Sequence, residues 1–450
     1  MKVKAHTLIL ASALASAALV ATDAQALSLK DTLEGAYETN PRLSASRSQL
    51  EATNEEVSRA ISNWRPSVNA QYNYGRERAR ISNGRFNYES APSTALTVEQ
   101  PIFEGGTNFT RYSSALNSVM AERATLKNAE QSVLLNAVEA HMNVVEAYSV
   151  LELSKNNVDV LEQQRVASQE RFDVGEVTRT DVAQSESRYA LAEADRIQAQ
   201  GDLVAALAEY ERVVGFMPEE QLDMPEDMPE LPASLEDATA LAISKNPALS
   251  SAGFLAEAAD DDTDTAIATL LPKVSVIGTM SRSKGASAFG PSDIDNDEVR
   301  LNVSIPLYQG GAEHSDIRQS KKLARQQEYT RKDTEEAVRE ATIQAWENWK
   351  TSLATISAQQ EAINAAEIAL DGVKQEQQYG ARTVLDVLDA EQELFSTRVS
   401  LVRAQRDRIV AIYNLLLVLG ELTAENLALN VDFYNPEADY DDVKWQFIGW

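Results

Sequence analysis

The chain has no cysteine among its 450 residues. In an exported protein that excludes disulfides, and it excludes anchoring through a lipidated N-terminal cysteine. Positive charge is scarce as well: 41 Lys and Arg stand against 69 Asp and Glu, a net charge of −28. So acidic a chain lacks the electrostatic footprint of a nucleic-acid binder. Histidine is nearly absent, and after the first few residues only His141 and His314 remain. With no Ser/His/Asp grouping and no phosphate-binding glycine loop, enzyme chemistry has no support, and no cofactor or metal is implied. Long apolar runs are missing too. Leu8–Ala21 and Ile409–Leu419 both fall short of the ~20 residues that a membrane helix needs.

What is present begins with an address. Lys2 and Lys4 precede the first apolar run, and Ala24-Gln25-Ala26 follows it as a small-residue cleavage signal. This predicts a secretory signal peptide over 1–26, cut after Ala26. Loss of Lys2, Lys4 and Asp23 leaves the exported chain one charge more negative.

The exported part repeats itself. Asn40-Pro41 returns as Asn246-Pro247 and Pro66 as Pro272, 206 residues on. Gly105-Gly106 returns as Gly310-Gly311, Gly175 as Gly380, Asp181 as Asp386 and Gly215 as Gly420, 205 residues on. The first repeat is expected over 27–215 and the second over 234–420. The acidic connector 216–233 contains "MPEDMPELP" and cannot be helical throughout. An acidic tail follows over 421–450, and its terminal Trp450 is a candidate aid to barrel assembly.

Within each repeat the hydrophobic period changes. Helical stretches lead up to Ser62 and Ala268. From Ser67, Val68, Ala70, Tyr72 and Tyr74 alternate with Ser67, Asn69, Gln71 and Asn73. Val299, Leu301, Val303, Ile305 and Leu307 alternate with Arg300, Asn302, Ser304 and Pro306. Period two predicts strands with one apolar and one polar face. They are expected at 67–81, 94–103, 273–283 and 299–308, joined by polar loops 82–93 and 284–297 into hairpins 67–103 and 273–308. Residues 107–174 and 312–379 then lack any breaker except Gly372. Leu134, Val138, His141, Val145 and Tyr148 step as a coiled coil does, and so do Trp346, Trp349, Leu353 and Ile356. Each long helix is about 100 Å, and turns at Gly175 and Gly380 start the returning helices, closing hairpins 107–214 and 312–419. At Gly105-Gly106 and Gly310-Gly311 a strand hands over to a long helix, where glycine permits the sharp corner.

Four strands with an apolar face form an open sheet, and a membrane does not tolerate unpaired edges. Closure must come from other chains, and three copies of four strands make twelve, inside the range of outer-membrane barrels. The helices are too polar for lipid and too long for a globule. The residues themselves therefore give an exported chain of two repeats, with four strands that seek closure from other chains and long coiled-coil helices that fit a tube projecting into the periplasm.

The motifs "FDVGEVTRTDV" (172–182), "YGARTVLDVLDA" (379–390), "QPIFEGG" and "IPLYQGG" resemble the TolC-type family of outer-membrane channels. The resemblance spans nearly the whole exported chain. It implies the fold class all-α combined with a membrane β-barrel: a homotrimer in outer-membrane lipid, four strands per chain completing a 12-stranded trimeric barrel, with the coiled-coil helices forming a periplasmic tunnel that docks a periplasmic adaptor (a membrane fusion protein) and an inner-membrane ABC or proton-driven transporter. It places Asp386 and Asp389, which share a helix face, at a pore constriction of six carboxylates that raise one another's pKa and attract cations. The residues alone favour helix-start acids complementing the dipole, and the resemblance reverses that preference. The resemblance also makes Thr180, Asp181 and Arg382 entrance gating contacts. A tyrosine that some relatives carry in this lock is here Gln377, with Tyr379 two residues later. The turns at Gly175-Glu176 and Gly380-Ala381 are implied adaptor contacts.

Acidic runs "DDDTD" (260–264) and "DIDND" (293–297) lack the glycine and glutamate of a calcium loop and read as solvated surface. His141, on the heptad seam, reads as core or tunnel packing. The expected function is export through an outer-membrane duct. "VGEVTRTDV" favours type I protein secretion; small-molecule efflux is the alternative. A non-conducting coiled-coil scaffold or adhesin is the rival from another class, and it would not require paired alternating hairpins.

Overall fold

The computed structural model describes residues 27–80, 86–218, 222–225, 227–287 and 290–446. The predicted signal peptide and Trp450 lie outside the described residues.

The helices come in matched sets. α1 (Leu29–Thr39) and α5 (Leu235–Lys245) have 11 residues each, and α2 (Pro41–Ser62) and α6 (Pro247–Ala268) have 22. α3 (Thr107–Asp173) and α7 (Ala312–Gln378) have 67, and α4 (Arg179–Val214) and α8 (Val384–Leu419) have 36. A short α9 (Ala438–Val443) lies in the tail. No described helix is long and apolar enough to cross a membrane.

The repeated landmarks have a common physical cause. Asn40 and Asn246 each end one helix and cap the next. Their Oδ1 atoms accept from Arg42 N–H (3.0 Å) and Ala248 N–H (2.9 Å), and proline fills the first helical position. The same amides donate to the carbonyls of Val213 (2.8 Å) and Val418 (2.9 Å), tying each cap to the end of a returning helix. Gly215 and Gly420 stop those helices, packed so closely on Thr39 and Lys245 that a Cβ would collide with them.

The sheet is antiparallel in the order β1-β2-β3-β4. β1 (Ser67–Arg80), β2 (Phe86–Glu104), β3 (Lys273–Ser287) and β4 (Gly290–Ser304) have 14, 19, 15 and 15 residues. All exceed the ~9–11 that cross a bilayer. Two expectations are corrected here. Residues 86–93, 284–287 and 290–297 are strand rather than loop, because ladders continue to Arg80↔Phe86 and Ser287↔Gly290, while 82–85 and 288–289 lie outside the described residues. Charge on the outer part of β3 and β4 hid this: Lys284–Asp293 (3.2 Å) and Arg282–Asp295 (3.7 Å) are cross-strand ion pairs. At the other end, the apolar alternation through Ile305 and Leu307 outruns β4, which stops at Ser304. A bulge at Ile102, beside Pro101, bends β2 toward its corner.

The largest core lies midway along the long helices, where α1, α2, α4 and the C-terminal part of α8 pack on α3. A smaller one joins α5, α7 and α8. Near the helical turns, Val384 and Leu388 of α8 pack on Val158, Leu161 and Ala192, drawing the two hairpins together.

Candidate functional site

The distal end of the molecule is two helix hairpins with the same turn. At the first, Glu176 N–H donates to Arg171 O (2.8 Å) and Gly175 N–H to Phe172 O (2.9 Å). At the second, Ala381 N–H donates to Glu376 O (2.9 Å) and Gly380 N–H to Gln377 O (3.0 Å). This is the Schellman arrangement, which needs a left-handed residue; Gly175 and Gly380 have φ of 83° and 75°. Nothing lies within 4 Å of a Cβ at either, so backbone angle alone selects glycine there.

The next residues start the returning helices by a capping box, a role the sequence reading missed. Thr178 N–H donates to Asp181 Oδ2 (2.9 Å) while Asp181 N–H donates to Thr178 Oγ1 (3.3 Å). Thr383 and Asp386 repeat this at 2.8 and 3.3 Å. The signal was present as Thr-x-x-Asp before each apolar run. Hydrogen bonds from the Thr383 backbone and hydroxyl hold the Asp386 carboxyl below the usual aspartate range. The rise expected from crowding concerns the carboxylates of three chains together, whereas within one chain the cap sets the direction.

Asp389, one turn further on, accepts from Arg188 of α4 at 2.5 Å, so it joins the two hairpins rather than standing free. Arg188 is a second residue that sequence reasoning missed, since nothing local marks a partner 201 residues away. Arg382 reaches Glu376 (2.9 Å) and Asp386 (3.9 Å) in its own hairpin. Neither Thr180 nor Asp181 is among its partners within the chain. Thr180 is exposed at the start of α4, and Tyr379 stands 89% exposed at the tip.

The remaining candidates are structural. In "DDDTD", Asp261 and Asp262 accept from Asn117 and Ser114 of α3, both at 2.9 Å, and so bind α6 to α3. "DIDND" belongs to β4. His141 is fully buried, with Nδ1 2.8 Å from Thr32 Oγ1 and Nε2 2.8 Å from the Asp223 carbonyl. Tyr210 OH completes the group, 2.9 Å from Thr32 Oγ1. No grouping that could hold a metal ion occurs among the described residues.

The family model described as "Outer membrane efflux protein" matches residues 32–215 and 239–421. The chain is 33% identical to the outer membrane efflux protein BepC of Brucella suis, over 94% of this chain and 92% of that one. It is 28% identical to the alkaline protease secretion protein AprF of Pseudomonas aeruginosa, over 91% and 88%. Among solved structures, CusC superposes with a TM-score of 0.78 at 18% identity, covering 87% of this chain and 92% of CusC.

Proposed function

Because this chain belongs to the outer membrane efflux protein family, of TolC type, we propose that it is the exit duct of a type I protein secretion machine. The channel lies in the outer membrane, with its helical tunnel in the periplasm. Family membership over both repeats is the observation that carries export. The secretion branch is supported by the turn "VGEVTRTDV" and by the similarity to AprF, which is named for protease secretion. A second reading, small-molecule efflux, is favoured by the higher identity to BepC.

Three copies complete the barrel. A chain-internal asymmetry supports this. Gly105 is packed so tightly on the end of α6 that a Cβ would meet the Ala268 carbonyl at 2.5 Å, whereas around Gly310 its own chain leaves open space. The second corner lacks within the chain the neighbour that the first one has, and another copy supplies it. The duct is passive, and a periplasmic adaptor docked at Gly175-Glu176 and Gly380-Ala381 connects it to an energised inner-membrane transporter.

At the entrance, Asp386 and Asp389 of three chains form a ring that favours cations. The Arg382 and Arg188 pairs brace the closed arrangement, with Thr180 and Asp181 facing the neighbouring turn. Deletion of the gene, followed by a census of secreted proteins and of susceptibility to toxic small molecules, tests the branch. Loss of a secreted protein with unchanged susceptibility is expected; the reverse pattern selects efflux. In planar bilayers, Asp386→Asn with Asp389→Asn should lower cation selectivity severalfold, and unchanged selectivity removes the pair from the constriction.

A further inference from the structure

Strand alternation and the ladder registers put Val68, Ala70, Tyr72 and Tyr74 of β1 on one face of the sheet with Val276 and Met280 of β3 and Val299, Leu301 and Val303 of β4. Followed away from the helices, this apolar face turns charged on both edge strands. On β1 the next three residues of that face are Arg76, Arg78 and Arg80; on β4 they are Asp297, Asp295 and Asp293. All six are exposed. β1 and β4 are the two edges of the sheet. One edge therefore carries three cations at every second residue, and the other carries three anions at the same spacing.

We propose that these columns are the two halves of a charge zipper between neighbouring copies of this chain, which selects the edge partner and its register. The inference rests on reading the chain as one third of a closed barrel. β4 of one copy lies antiparallel to β1 of the next, with Asp297 opposite Arg76, Asp295 opposite Arg78 and Asp293 opposite Arg80. The apolar face then continues as Val299 opposite Tyr74, Leu301 opposite Tyr72 and Val303 opposite Ala70. The acidic column sits between two basic ones, since Asp293 and Asp295 also pair with Lys284 and Arg282 of their own β3. Like charges directly opposite are unfavourable, so β1 rejects another β1 and β4 another β4.

Barrel geometry agrees with this register. Within the chain, the line perpendicular to the strands runs from Val68 through Val98 and Gly278 to Val299. The charge-matched seam carries it to Tyr74 of the next copy, a shift of six residues per chain. Over three copies and twelve strands, with a rise of ~3.3 Å and a spacing of ~4.8 Å, that corresponds to a strand tilt of about 46°. Membrane strands tilt by about 45°. Sliding the seam by two residues gives about 35° or about 54°, and either slide leaves only two of the three charge pairs.

The absence of cysteine makes the seam directly testable. In one chain β1 and β4 are separated by two strands, roughly 14 Å edge to edge, and a disulfide spans less than about 7 Å between Cα atoms. A bridge between positions 78 and 295 can therefore form only between copies. The full-length outer-membrane protein carrying Arg78→Cys and Asp295→Cys should run as a covalent trimer without reductant. The register-shifted pair Arg76→Cys with Asp295→Cys should remain largely monomeric under the same oxidation. Asp297 offers a second readout, because it faces Met280 within its own chain. Arg76→Asp should reduce detergent-resistant trimer, and adding Asp297→Arg should restore it. Cross-linking of the shifted pair instead, or failure of Asp297→Arg to rescue, overturns the zipper while trimers persist. If the unaltered protein forms no trimer at all, the barrel reading itself fails.

Discussion

The two repeats place different chemistry at one position. In the first, Thr32, His141 and Tyr210 form a buried hydrogen-bonded group among α1, α3 and α4. Their counterparts 205 or 206 residues on are Ala238, Trp346 and Leu415, which sit in one apolar cluster among α5, α7 and α8. The backbone is the same, and the junction is filled either by bonds or by volume. In the first repeat the Asp223 carbonyl can only accept, so His141 Nε2 carries the proton and Nδ1 accepts from the Thr32 hydroxyl. Tyr210 then donates to Thr32. The bond to Asp223 also fixes the connector, which pairs with the residue just before α1 and its cap through a Leu27–Leu222 bridge. A polar group stands where a loop is held, and a tryptophan stands where helices only pack.

The largest expected effect lies in the apolar copy. Trp346→Ala should cost about 3–5 kcal/mol, since it opens a cavity beside Trp349. His141→Leu should cost less, about 1–3 kcal/mol, by leaving the Asp223 carbonyl without its donor, while Thr32 keeps Tyr210 and the Ser28 carbonyl. Urea unfolding in detergent, followed by circular dichroism, compares the two. If His141→Leu proves the more damaging, the first junction depends on its bonds more than packing arguments allow.

The pH dependence sharpens the contrast. Burial lowers the His141 pKa, and the Asp223 carbonyl and its nearby charge offset this only in part. The unfolded chain then binds the proton more readily than the folded one. The stability that this confers is present above the unfolded value near 6.5 and is lost as pH falls through it toward the folded value. Each unit of lowering corresponds to about 1.4 kcal/mol. Unfolding at pH 7.5 and 5 should show a loss that His141→Leu abolishes and Trp346→Ala leaves intact. The smallest effect is expected from Tyr210→Phe, about 1 kcal/mol for one hydrogen bond of the group. A change several times larger would mean that the hydroxyl holds more than Thr32.

The helices were legible because their signals are local. Asn40-Pro41, Gly105, Gly175 and Gly215 each stop or start a helix through their own backbone requirements, and the second repeat restates them at one spacing. The strands were legible only across the apolar band. Beyond it, residues 284–297 carry charge on the face where hydrophobicity had marked the strand. Lys284 and Asp293 look like loop residues until the ladder sets them opposite each other.

The sequence by itself determined the repeat, the order of strand, corner and long helix, and the position of both turns, because propensity, capping and periodicity act over a few residues. Only the tertiary structure decided what Asp389 touches, which is Arg188 on another helix. It likewise decided that Gly105 is packed while Gly310 is open, and that arginine and aspartate columns lie on opposite edges of one sheet. Those relations join residues about 200 apart in the chain. No local preference encodes them, and they exist only once the two repeats have packed side by side.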